Sequence, residues 1–384
     1  MSLEKKWIWQ REAYPNFEYN QTKLDPILQE IKYYQGLLDG IYMGINNEDL
    51  GKAQIEIFTQ EVIDTSAIEG EMLSRDSVRS SLSNKFRIEI GLKDSSNKKT
   101  DGLVDILIDA VSNIEKPLDE SRLFSWHYAL FPSKHNTLHD IRVARYRNDE
   151  MEIVSGAIGR EKVHYLAPPS SHLEKEMRDF FSWLNEDDAS IVKAGIAHFW
   201  FVVIHPLDDG NGRIARAISD WVLAKELNKK QKLYSISTAI KNDKKAYYNV
   251  LEKSSKGEVD ITEWLEWFLE TFLKALKDAK ESIKFILDKT AFWDKHRATV
   301  LNERQIKILN RLLDVGYGNF EGGINTRKYA SLTKVSKPTA ARELKDLVYK
   351  KCLLQKEGSA GRSVAYEIDI VAKSNEKKSR SCRN

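Results

Sequence analysis

Only two cysteines, Cys352 and Cys382, occur in 384 residues. That count excludes a disulfide framework and a cysteine zinc site, and it suits a reducing cytoplasm. Long apolar runs are missing as well. The longest, Ala197 to Ile204, contains His198 and falls far short of the roughly 20 residues a membrane helix needs. The first twenty residues alternate polar and aromatic side chains, unlike a secretory leader. No internal repeat is present, and low complexity is confined to the end, where SNEKKSRSCRN has no apolar face to bury; residues 371–384 read as a disordered tail. A cytoplasmic protein with no membrane partner is expected.

What is present fits a soluble protein with real cores: 41% hydrophobic and 30% charged residues, over a length that calls for two or three units. The net charge of +3 hides a segregation. Residues 301–384 carry 18 Lys and Arg against 9 Asp and Glu, which leaves a net of −6 on the first 300. Basic charge gathered at one end points to a polyanionic partner there, with a solvated basic surface as the plainer alternative.

The aromatic cluster Trp7, Trp9, Tyr14, Phe17 and Tyr19 implies packing onto another element. Helical periodicity runs from about Lys23 to Lys85, a loop is expected at Asp94 to Lys99, and helices follow at Val104 to Ile114 and Glu120 to Leu130. Glu152 to Val154 and Lys162 to Leu166 flank SGAIGR and predict a hairpin, which APPS terminates. Helices are predicted at His172 to Asn185, Ile191 to Ile204, Ile214 to Leu227, Asn242 to Lys253 and Ile261 to Ala279.

The stretch HPLDDGNGRIAR, His205 to Arg216, has the composition of an anion site. Proline ends the preceding helix at His205. The glycines of DDGNG let backbone N–H groups converge in a nest, which feeds a helix N-terminus that favours an anion. Arg213 and Arg216 lie three apart on the first turn, and their guanidinium forks suit phosphate oxygens. Asp208 or Asp209 beside such a nest requires a bridging magnesium ion, and His205 is the group able to take a proton near neutral pH. The plain alternative is an Asx-Gly turn between two helices, with surface arginines and a core histidine.

These residues resemble the Fic family signature, histidine–x–Phe–x–Asp/Glu–Gly–Asn–Gly–Arg–x–x–Arg, with Leu207 in place of phenylalanine as the apolar anchor. The likeness extends over roughly residues 1–280. The predicted hairpin and HYLAPPS look like the family's flap, AYYNVLEK resembles its following helix, and WIWQREAYPNFEYN is similar to an extension of many bacterial members. The resemblance implies transfer of AMP from ATP to a Ser, Thr or Tyr hydroxyl of a target protein, with release of pyrophosphate. It makes His205 the base and Asp209 the magnesium ligand. It gives the phosphates to Gly210, Asn211, Gly212, Arg213 and Arg216, and assigns Tyr247 or Tyr248 to the adenine pocket, with plain core as their alternative. The target would dock along the flap, residues 153–166, as an added strand.

Upstream, TSAIEG fits the family's inhibitory pattern, Ser/Thr–x–x–x–Glu–Gly/Asn. Glu69 with Thr65 and Gly70 would occupy Arg216 and spoil ATP alignment, the alternative being a helix end with a surface glutamate. The same glutamate can serve AMP removal in the family, and some members use other phosphate-linked donors.

Residues 301–370 read as a separate unit of three helices and a hairpin that resembles a winged helix-turn-helix. Asn302 and Ser336 are candidate caps. Lys337, Thr339, Arg342 and Lys345 fall on the recognition helix and Arg362 in the wing, so DNA is an expected partner, with protein contact as the alternative. The expected architecture is mainly α: an N-terminal helical region 1–100, a catalytic core 101–280 with its β-hairpin flap, a linker helix 281–300, the winged-helix unit and the tail. A homodimer is among the partners the reading admits, and a DNA-binding regulator with a nucleotide-sensing Fic unit is the competing function.

Overall fold

The computed structural model describes residues 6–88, 95–132, 141–155, 160, 162–186, 188–227, 232–315, 323–359, 361 and 364–369. Arg362, Cys382 and the tail 371–384 lie outside them. Two units emerge, residues 1–280 and 281–384. No helix among the described residues is long and apolar enough to cross a membrane.

The first unit opens with α1 (Gln21–Gly44), α2 (Asn47–Ile68), α3 (Arg75–Phe86), α4 (Lys98–Ser112) and α5 (Glu120–Leu130). The periodicity that reads as one long helical region is thus three helices, because Asn46 and Ser74 cap fresh starts by accepting from Asp49 and Ser77 backbone N–H groups. Asn97 likewise starts α4 inside the stretch expected to be loop, with a reciprocal capping box to Thr100. The hairpin follows, β1 (Glu152–Ser155) antiparallel to β2 (Lys162–Leu166). Then come α6 (Leu173–Leu184), α7 (Ile191–Ile204), α8 (Asn211–Glu226), α9 (Ile236–Asn242), α10 (Lys244–Ser255) and α11 (Thr262–Lys295).

The core is built on α7 and α8, which pack against each other. α7 buries twelve of its fourteen residues and α8 thirteen of sixteen, so each is covered on nearly all sides. α4 covers one side of α8, while α2 packs on α9 and α3. The N-terminal aromatics close the far side. Trp7 meets Tyr165 edge-on, Phe17 does the same to Phe199 and Trp200, and Trp9 Nε1 donates to the Leu166 carbonyl at 2.8 Å.

The helix expected to stop at Ala279 runs on to Lys295, since no glycine or proline interrupts KDAKESIKFILDKTAFWDK. Residues 281–295 of the expected linker helix are therefore the second part of α11, and 296–300 lie beyond its end. In the second unit, α12 (Glu303–Val315), α13 (Thr326–Thr333) and α14 (Lys337–Tyr349) precede β3 (Leu353–Gln355) antiparallel to β4 (Tyr366–Ile368). Its own core joins Phe292, Leu309, Ile324, Tyr329, Leu344, Leu347 and Leu353. Asn302 caps α12 by accepting from the Gln305 N–H, and Ser336 caps α14 with Pro338 in the first turn.

Candidate active site

Between α7 and α8 the chain turns through HPLDDG. His205 ends α7 in the left-handed region at φ 48°, and Gly210 sits at φ 87° immediately before α8. Glycine at 210 is required twice over, because a Cβ there would also approach Leu130 Cδ1 at 2.9 Å. α8 starts at Asn211, earlier than the sequence pattern indicates, because the loop's last turn is closed by the Asn211 side chain. Its amide donates to the Leu207 carbonyl at 2.8 Å and accepts from the Leu207 N–H at 3.1 Å. The side chain expected to help cradle phosphate thus holds the loop at both of its ends, and it keeps a second N–H and a second oxygen lone pair beside the backbone of residues 210–212. Leu207 itself is fully buried, so leucine serves as the anchor.

Two arginines from α8 reach the acidic stretch at the end of α2. Arg216 is 1% exposed; its Nε donates to Thr65 Oγ1 at 2.7 Å and its Nη2 to the Thr65 carbonyl at 3.0 Å and to Glu69 Oε1 at 2.7 Å. Glu69 is the residue after α2, and Gly70 follows at φ 82°. Burial raises the Glu69 carboxyl pKa, but Arg216 outweighs it, with Arg213 and Lys244 adding to the pull, and the pKa stands below its ordinary value. Arg213 Nη1 donates to Glu71 Oε2 at 3.1 Å. Both acids of Glu69-Gly70-Glu71 therefore face the two arginines of the signature.

Those arginines remain incompletely satisfied. Arg213 Nε and Arg216 Nη1 are buried and have no hydrogen-bond partner. Buried guanidinium donors seldom stay unpaired, and Arg216 Nη1 lies 3.2 Å from where a Cβ on Gly212 would stand. That Cβ would also meet Glu69 Oε1. Both atoms are the far ends of side chains, so a larger residue there would shift the Glu69–Arg216 pair. The arrangement fits an anion with several oxygens.

Asp208 and Asp209 have separate roles. Asp208 is held by Arg142, whose Nε and Nη2 each reach a carboxylate oxygen at 2.8 Å. Asp209 keeps a half-exposed side chain, whose Oδ1 accepts from Gly210 N–H at 2.5 Å. Among the described residues no cluster of three His, Cys, Asp or Glu could hold a metal. A lone hard carboxylate fits magnesium only where phosphate oxygens complete the coordination.

His205 Nδ1 lies 3.2 Å from the Val202 carbonyl. A carbonyl only accepts, so the proton sits on Nδ1 and Nε2 is left to take another. Burial pushes its pKa down to about 4, a shift that the Val202 hydrogen bond opposes. Its backbone is fastened by a residue the sequence did not single out, the buried Arg147. Arg147 donates to the carbonyls of His205 at 2.8 Å and Asp149 at 2.7 Å, while its N–H donates to Pro206 at 2.9 Å. Glu71 and Arg147 escaped detection because their partners lie 142 and 58 residues away.

His205, Glu69 and Gly212 line one cleft of about 550 Å³ with β1, β2 and α10. Tyr247 and Tyr248 are both on its wall. Tyr247 is buried, its hydroxyl 2.9 Å from His198 Nε2, whereas Tyr248 is 42% exposed and donates to the Ile68 carbonyl at 3.4 Å. The cleft thus gathers His205, Gly212, Glu69, Tyr247 and Tyr248, and Arg213, Arg216 and Asp209 adjoin it on the signature loop and helix. Lys337, Thr339, Arg342 and Lys345 belong to the second unit. There, Lys337, Arg342 and Lys345 are exposed and Thr339 is half-buried, on a helix that buries Ala340, Leu344 and Leu347.

Residues 117–223 match the model of the Fic/DOC family, and residues 7–88 match one described as Domain of unknown function (DUF4172). The chain therefore carries a Fic domain. A "Protein adenylyltransferase Fic" of Nematostella vectensis is 32% identical over 89 residues, 22% of this chain and 19% of that protein. One of Aedes aegypti is 25% identical over 258 residues, 64% of this chain and 47% of that protein. The chain spans less than half the length of these relatives. A Fic family protein from Desulfovibrio desulfuricans G20 shares the fold at a TM-score of 0.53 and 20% identity, covering 90% of this chain and 95% of that one.

Proposed function

We propose that the protein is an adenylyltransferase that moves AMP from ATP to a hydroxyl of a target protein, and that its own Glu69 restrains it. One observation carries this reading: the buried, partly unsatisfied arginine pair beside the glycine nest, with Glu69 already on Arg216.

Nucleotide would lie in the cleft, its phosphates on the backbone N–H groups that open α8. Arg213 and Arg216 would neutralise the outer phosphates, and Asp209 would hold magnesium, which supplies further charge neutralisation. His205, neutral and protonated on Nδ1, would take the acceptor's hydroxyl proton at Nε2. A triphosphate next to the imidazole raises its pKa towards the range a general base needs. The acceptor oxygen then bonds the α-phosphorus as the bond to pyrophosphate breaks. A target strand would pair with the hairpin at 153–166 to bring its hydroxyl into line.

ATP labelled at the α-phosphate tests this. Label should build up on protein with Glu69→Gly and vanish when His205→Ala is added. Absence of label on the enzyme and on lysate proteins, with ATP bound, would move the reading to AMP removal, nucleotide sensing or another phosphate-linked donor.

A second reading concerns the second unit, which we read as a winged helix that binds DNA. The support is the exposed pair Arg342 and Lys345 on the face of α14 opposite its buried residues, with Lys337 exposed at its first position. Reversing Arg342 and Lys345 to glutamate should weaken binding to duplex DNA and flatten its salt dependence. Unchanged, salt-insensitive binding contradicts it and favours a protein-contact role for this unit.

A further inference from the structure

The hairpin carries a second constellation that the adenylyl-transfer reading does not use. β1 and β2 pair Val154 with Val163 and Ile153 with Tyr165, which leaves His164 as the extra residue of a bulge. Bulges of this kind re-aim a side chain, often beside a reactive site. Here the bulged histidine lines the cleft together with Ser155 and, on α10, Glu252. His164 Nδ1 lies 2.5 Å from Glu252 Oε2, and His164 Nε2 lies 2.5 Å from Ser155 Oγ.

The chemistry of the donors fixes the direction of this chain. Lys256 beside Glu252 holds its carboxyl well below the usual range, so Glu252 is ionised and can only accept. Nδ1 therefore carries a proton, and in the neutral imidazole the Nε2 lone pair faces the serine hydroxyl. A nucleophile, a base and a group that orients the base stand in the order that activates serine in unrelated folds.

We propose that Ser155 is a base-activated nucleophile, with His164 as its base and Glu252 as the orienting carboxylate, and that it accepts a phosphorus-centred group from a small phosphorylated molecule in the cleft. The step balances within the constellation. Ser155 Oγ bonds phosphorus, the bond from phosphorus to its leaving group breaks, and the hydroxyl proton passes to His164 Nε2 and on to the leaving group. The product is a modified serine on the flap itself, at the lip of the cleft His205 shares.

The inference does not depend on the nucleotide reading, and its test uses no nucleotide. The full-length protein is treated with diisopropyl fluorophosphate and each serine-containing peptide is followed by mass spectrometry. Phosphorylation of Ser155 with loss of fluoride should outpace that of exposed Ser125 and Ser336 by at least ~100-fold, the scale of positioned base catalysis. His164→Ala should remove most of that advantage. Glu252→Gln, which keeps the shape and loses the charge that fixes the tautomer, should reduce it by roughly tenfold or more. Ser155→Ala should leave no fast site. Labelling of Ser155 at the rate of the other exposed serines, or at an equal rate in the His164→Ala and Glu252→Gln proteins, overturns the proposal and leaves the three residues as a tie between flap and α10.

Discussion

Glu69 Oε1 and Arg216 Nη2 stand 2.7 Å apart, although 147 residues separate them in the chain, and the carboxylate belongs to the residue that ends one helix while the guanidinium rises from the first turns of another. Arg216 is almost wholly buried and Glu69 about a quarter exposed, so the pair is neither a surface bridge nor a closed core pair. Its position beside Gly212 makes it the point at which the fold and the proposed chemistry compete.

Glu69→Gly should raise AMP transfer and at the same time lower stability. Removing one partner of a buried pair costs about 3–5 kcal/mol, and partial exposure reduces this to about 2 kcal/mol here. Denaturant unfolding of the variant should show the loss, and ATP should recover part of it by binding the freed Arg216. A variant as stable as wild type would mean that the pair contributes nothing to the fold.

Arg147→Ala should cut activity sharply without touching any proposed ligand contact. It leaves the carbonyls of His205 and Asp149 without the guanidinium and frees the left-handed turn that aims His205. A stability loss of about 2–4 kcal/mol is expected from unpaired buried acceptors. The turnover of the Glu69→Gly protein should fall by ~100-fold or more when Arg147→Ala is added, with KM for ATP changed less.

Asn211 separates a loop clamp from a phosphate ligand. Asn211→Ala strands the Leu207 N–H and carbonyl and should cost about 1–3 kcal/mol even without nucleotide. Asn211→Asp keeps an acceptor for the Leu207 N–H but sets a buried negative charge beside the Leu207 carbonyl, and should cost at least as much. If Asn211→Ala unfolds at the wild-type denaturant concentration and only ATP affinity drops, the side chain is a ligand instead.

Three histidines set the acid limit. Burial pushes His127 and His205 down to about 4 and His198 to about 3. All three are neutral in the folded chain and gain a proton on unfolding below about pH 6.5. The stability they contribute is complete above that pH and is lost as pH falls towards 4. Asp220 works the other way. Burial raises its carboxyl to about 7 in spite of Lys232, so its contribution grows as pH falls. Burial lowers His296 as well and raises the carboxyls of Glu176, Glu226 and Asp288 alongside Asp220. The far-shifted histidines dominate this window, and unfolding by urea should become easier between pH 6.5 and 4. Imidazole resonances of His205 that report the charged form at pH 6 would contradict the assignment.

The loop from His205 to Arg216 was legible because anion chemistry demands a rare composition, and the hairpin because SGAIGR separates two strand-like runs. The partners of those residues were not. Residue type shows that Asn211 can cradle an anion, but not that the Leu207 backbone four residues earlier takes both ends of its side chain. Nor does local pattern reveal Glu71 on Arg213 or Arg147 on His205, since tertiary packing brings them together. α9 was missed because ISTAIKN is too short for a helical period to declare itself, whereas its cap, Ser235 accepting from the Thr238 N–H, was written in the sequence.

The most direct measurement compares the affinities of the wild type and Glu69→Gly for ATP and ADP by calorimetry. Arg216 is assigned to the γ-phosphate, which ADP lacks. With Glu69 on Arg216, wild type should bind the two nucleotides with nearly equal Kd. Once the guanidinium is free, Glu69→Gly should prefer ATP by roughly 10–100-fold, the equivalent of about 1.4–2.7 kcal/mol. The same ATP-to-ADP ratio in both proteins would contradict the claim that Glu69 withholds Arg216 from the nucleotide.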